Sequence, residues 1–142
     1  MKNLLLCCIL FAAFSCDTVK KTTSIAPSLD ELTQNQWVLE SLNSTDVDAA
    51  NYVKGLPSLN FNSDGSMNGS TGCNTFTGKF SLSETLSMTP GAMSKMSCPG
   101  SGEKDFLDAI SRVTKVNLTD GDLVMTDGNT ELLKFVSQNI GK

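Results

Sequence analysis

Along most of this chain apolar side chains recur at every second position, in short runs separated by turn signals. A period of two is the mark of a strand, whose successive side chains point to opposite faces. Trp37 and Leu39, Leu59 and Phe61, and Phe76 and Phe80 with Gly78 between them all follow it. The pattern predicts strands over 37–42, 57–62, 66–70, 76–80, 85–89, 116–118, 123–126 and 131–136. Asn62-Ser-Asp-Gly65, Asp120-Gly121 and Asp127-Gly-Asn129 read as the turns of hairpins, and Pro90-Gly91 ends the 85–89 strand. The period changes once. Phe106, Leu107, Ile110 and Val113 fall on one face of a helix over 102–114, with Asp105, Asp108 and Arg112 on the other. Glu103 suits the positive end of that helix, and Lys115 its negative end. One amphipathic helix among about seven to eight short strands implies a mainly β (α+β) domain. Its simplest form is a curved antiparallel sheet with the helix packed over the open face.

The N-terminus follows a different rule. Lys2 precedes an apolar stretch of 11 residues, Leu4 to Phe14, too short to cross a bilayer core of about 30 Å as a helix. It reads as an export signal. Ala13-Phe14-Ser15-Cys16 resembles a bacterial lipobox, although Phe14 is bulkier than the usual residue. The resemblance implies cleavage before Cys16, a diacylglycerol thioether on its sulfur and acylation of the new amino group, for instance by palmitate. Two or three acyl chains, at about 0.8 kcal/mol per buried CH₂, anchor a protein without a transmembrane helix. Cys7 and Cys8 leave with the signal. The 11 residues from Asp17 to Pro27 are polar and aperiodic, and form a tether reaching roughly 40 Å. Asp17 resembles an inner-membrane retention signal and Asp17-Thr18-Val19 an O-glycosylation tripeptide, both patterns too short to outweigh chance. Ser28-Leu-Asp-Glu31 has the form of a capping box and starts a helical turn through Thr33. The division expected is a signal peptide at 1–15, a lipidated cysteine and tether at 16–33, and a domain at 34–138.

Charge and composition exclude several functions. Lys2 is the one basic residue of the signal, so the exported chain carries ten basic against 15 acidic residues. No basic run exceeds Lys20-Lys21, which leaves no footprint for nucleic acid. The chain has no histidine. Ser-His and Cys-His nucleophile pairs and every histidine-containing zinc site are therefore absent.

Trp37-Val-Leu39, Leu59-Asn-Phe61, Gly69-Ser-Thr-Gly72-Cys73-Asn74-Thr-Phe76-Thr-Gly78-Lys-Phe80, Met96-Ser-Cys98 and Glu103-Lys-Asp-Phe106-Leu107 together resemble the META (HslJ-like) domain family. The resemblance runs from about residue 34 to 137, and its motif residues are Gly72, Cys73, Asn74, Phe76, Gly78, Met96 and Cys98. Ser94 and Ser97 depart from the threonine and alanine expected around Met96. The resemblance implies a partly open β-barrel with a helix across it. It also implies a link to envelope stress and antibiotic tolerance, with no established chemistry. A likeness to secretin pilotins is one of fold only.

Cys73 and Cys98 are the cysteines left once Cys7 and Cys8 are cleaved and Cys16 is acylated. In an oxidising periplasm an even pair favours a structural disulfide. A redox pair or reactive thiol is the alternative, but no CxxC spacing or basic cluster is there to lower a thiol pKa. Gly69, Gly72 and Gly78 suit tight sheet bends better than a phosphate cradle, since no Lys-Ser/Thr follows. Asp120-Gly-Asp122 and Asp127-Gly-Asn129 lack the ligand spacing of a calcium loop. Met67, Met88, Met93, Met96 and Met125 suit core filling, although Met88, Met93 and Met96 could line an adaptable apolar groove. The expectation is a monomeric, non-enzymatic, lipid-anchored binding or scaffolding module without cofactor or metal. It would face the periplasm at the outer membrane, held there by Cys16, with an envelope protein or peptide as partner. The alternatives are a pilotin-like chaperone and a thiol-dependent enzyme.

Overall fold

The computed structural model describes residues 24–83 and 86–139. The expected signal, Cys16, Asp17, Thr18 and the first part of the tether, together with Thr85, lie outside the described residues. The fold is mainly β, an antiparallel half-barrel of eight principal strands with one short helix packed across it. In chain order these are β1 (Ser24–Ile25), α1 (Leu29–Thr33), β2 (Asn35–Leu42), β3 (Thr45–Asp46), β4 (Ser58–Phe61), β5 (Ser66–Ser70), β6 (Thr75–Leu82) and β7 (Leu86–Met93). Helix α2 (Gly102–Ser111) follows, then β8 (Lys115–Thr119), β9 (Asp122–Asp127) and β10 (Thr130–Asn139). The sheet runs β1-β8-β9-β10-β2-β4-β5-β6-β7, with the two-residue β3 paired to β2.

Alternation sets which side faces the core. Trp37, Leu39, Leu59, Phe61, Val116, Leu118, Leu123 and Met125 all point inward and are buried. Two neighbours break the period: Leu132 and Leu133 are both buried, because β10 shifts register against β9 between Glu131 and Leu133. Such a bulge bends the strand and lets consecutive side chains reach the interior. The hairpin between β8 and β9 turns on Asp120 and Gly121, both with positive φ, as the tightest right-twisted hairpins require.

The packed domain begins earlier than residue 34. Ser24 and Ile25 pair with Thr119 and Leu118 of β8, and Leu32 of α1 is fully buried. Its carbonyl accepts from the Trp37 indole N–H at 3.0 Å. The expected capping box is present: Ser28 Oγ accepts from the Glu31 amide, and Glu31 Oε2 accepts from the Ser28 amide at 2.9 Å. Strand β7 does not stop at Pro90-Gly91 but continues to Met93. Proline lacks an N–H, and an edge strand can dispense with that donor. The pairing of β7 with β6 also slips between Phe76 and Gly78, so the surplus residue bulges out.

Helix α2 is shorter than the 102–114 read from the sequence, with its cap at Arg112. It lies against β10, where Phe106, fully buried, meets the Phe135 ring edge-on at 6.4 Å between centroids. No helix among the described residues is long and apolar enough to cross a membrane.

Candidate functional site

Two features stand side by side where α2 approaches β5, β6 and β7. The first is a buried polar hub built on the turn between β5 and β6. Gly72 has φ +86°, and a Cβ there would collide with the Tyr52 ring. Only glycine suits both the conformation and the contact. The next residue, Cys73, is bonded to Cys98, with Cα atoms 5.9 Å apart. Asn74, 3% exposed, makes the remaining links. Its Oδ1 accepts from the Met96 amide at 2.7 Å and from Ser94 Oγ at 2.8 Å. Its Nδ2 donates to the Met96 carbonyl at 3.0 Å and to Glu103 Oε1 at 2.9 Å. Thr71, fully buried, donates its hydroxyl to the same Glu103 oxygen at 2.5 Å. Asn74 thus holds the 94–98 segment and the first turn of α2 against the sheet. A buried amide with every hydrogen-bonding position used is a fastener rather than a reacting group.

The second feature is an apolar groove of about 700 Å³ between β7 and α2. Met67, Phe76, Leu86, Met88 and Met93 line it from the sheet. Phe106, Leu107, Ile110 and Val113 line it from the helix and the residues after it. Thr77, Ser87, Ser111 and Thr114 complete the lining, and among the described residues no charged side chain joins them. Gly78 keeps this wall thin, since a Cβ there would sit 2.6 Å from the Thr89 carbonyl and 3.1 Å from Met67 Cε. The chain lacks histidine, so no imidazole stands beside these residues as a base. The groove can hold an apolar surface.

The motif residues separate accordingly. Gly72, Cys73, Asn74 and Cys98 build the hub, whereas Phe76 and Gly78 shape the groove. Met96 contributes its backbone to the hub. Its side chain is 42% exposed and lies 3.4 Å from Lys54 Nζ, so it does not line the groove with Met88 and Met93. Sequence reasoning assigned Glu103 to the helix dipole and passed over Thr71 and Tyr52. Nothing in periodicity marks a contact across 32 residues such as Thr71 to Glu103. Asp120 and Asp127 sit at hairpin turns as expected, and no group of three metal-binding side chains forms among the described residues.

A family model described as META domain matches residues 30–140. No curated protein matches the chain. Two solved structures are similar. One is an NMR structure, 24% identical with a TM-score of 0.62, covering 82% of this chain and 99% of its own. The other is an NMR structure of a protein from Burkholderia xenovorans, 22% identical with a TM-score of 0.60, covering 80% and 92%. At these identities the likeness is one of fold.

Proposed function

Because this chain belongs to the META domain family, we propose that it is a lipid-anchored, non-enzymatic binding module of the cell envelope, active in stress or antibiotic tolerance. The groove between β7 and α2 is its binding face. One observation carries this reading: a largely apolar groove of about 700 Å³ on the surface of a small domain, with no charged side chain among the described residues of its lining. Exposed apolar patches of that kind are characteristic of binding sites. The anchor is argued from Cys16 and its apolar approach, which supply the acyl-accepting sulfur. A thiol-dependent enzyme is the weaker reading, because Cys73 and Cys98 are spent on each other. A pilotin-like chaperone is the same groove with a peptide in it.

The test is a photo-crosslinking side chain at Met93, on the rim of the groove, in growing cells. Adducts with envelope components are expected there and not from the same group at Lys79 on the outer face. A companion Cys16→Ala chain is expected to leave the membrane fraction or remain unprocessed. Equal labelling from both positions removes the binding reading, and membrane retention of the Cys16→Ala chain at mature size removes the anchor.

A further inference from the structure

Strand β7 ends the sheet, and among the described residues no strand lies on its far side. The Thr89 carbonyl lies against Gly78 of β6, and Thr77 Oγ1 donates to the Ala92 carbonyl at 3.4 Å. Thr89 therefore turns its backbone groups toward β6. By the alternation of an antiparallel strand, those of Met88 and Pro90 turn away. Met88 presents an N–H and a C=O on the open side, and Pro90 a C=O alone. The side chain of Met88 stands opposite the buried Phe80 and lines the groove. An unpaired strand edge and an apolar floor thus run along each other.

The chemistry of the occupant follows from that pairing. With no charged residue among the described residues of the lining, a charge brought into the groove would lose its water and find no partner among them. A free fatty acid would have no cation for its carboxylate, and an acyl chain would ignore the strand edge. An extended peptide uses both features, with main-chain hydrogen bonds to the edge and alternate side chains on the floor. We infer that the groove receives a short extended peptide segment, uncharged and apolar at alternate positions, added as a strand along β7 at Met88 and Pro90. This rests on the groove being the binding face. The added strand is short, because Pro90 withholds a donor and the bulge after it turns the edge aside.

The test uses the full chain with ¹³C-labelled methionine and isoleucine methyls, in lipid nanodiscs so that no detergent competes. Three peptides are titrated: an acetylated, amidated pentapeptide alternating valine and threonine, and its two alternately N-methylated forms. A strand added at β7 turns one edge to it, so one methylated form loses at least tenfold in affinity and the other keeps it. The shifts are expected at Met88, Met93 and Ile110. Equal binding of all three, or loss in both methylated forms, overturns the inference. Shifts with decanol and none with any peptide assign the groove to acyl chains, which overturns the inference and leaves the binding face standing. Shifts that grow with protein concentration alone assign β7 to a second copy and overturn it likewise. No response to peptide or decanol removes the binding face as well.

Discussion

Asn74 and Glu103, 29 residues apart, meet with the Asn74 side-chain amide donating to the Glu103 carboxylate at 2.9 Å. That contact joins the first turn of α2 to the turn between β5 and β6, and the helix in turn forms one wall of the groove. The hub beside the disulfide therefore decides where the groove wall stands.

Asn74→Asp keeps the shape and removes the donors. A carboxylate then faces Glu103 and the Met96 carbonyl, both of them acceptors that lose the Asn74 donor. The expected loss is about 3 kcal/mol, in line with breaking a buried polar network. Glu103→Gln, which retains an acceptor, is expected to cost about 1 kcal/mol. Urea unfolding of the two variants measures the difference, and equal losses would contradict the donor assignment.

The Cys73–Cys98 bond closes a loop with a sequence separation of 25. In the chain-entropy treatment a loop of this size is worth about 3.5 kcal/mol. Paired replacement by alanine is expected to cost about 2–4 kcal/mol, and reductant to have no further effect on that variant. Non-reducing peptide mapping of the protein checks the bond itself.

On α2, Phe106 is fully buried and packs against Phe135, and Phe106→Ala is expected to cost about 3–5 kcal/mol. Ile110 lies on the same face but is only partly buried, so Ile110→Ala is expected to cost less, about 1–2 kcal/mol. Asp108 pairs with Lys104 where both side chains are well exposed, and Asp108→Ala is expected to change stability by less than about 0.5 kcal/mol. Thermal or urea unfolding ranks the three.

Acid acts at the capping box. The Ser28 hydroxyl and amide hold the Glu31 carboxyl below its usual value near 4.5. A depressed carboxyl contributes its stability above that value and loses it as pH falls through the lower folded one. The stability difference between wild type and Glu31→Gln is therefore expected to be constant near neutrality and to shrink in acid. A difference that grew on acidification would show that the capping bond is not formed.

Local patterning alone determined the strands, the hairpin turns and the helical face. Trp37, Leu59, Phe61 and Phe106 are buried where a period of two or of 3.6 puts them, because such periods express the geometry of a few adjacent residues. The capping box at Ser28 and Glu31 was legible for the same reason. What tertiary structure decided involves residues far apart in sequence. Pro90 stays within β7 because that strand lies at an edge, and Leu32 enters the core because Trp37 folds back onto it. Met96 leaves the groove because Asn74 holds its backbone elsewhere. Glu103 turns from a helix-end charge into the anchor of a hub because Thr71 and Asn74 reach it from another strand connection. Hydrogen bonds and ring contacts of this kind depend on how the sheet curls and where α2 lands, and no short window of sequence holds both partners.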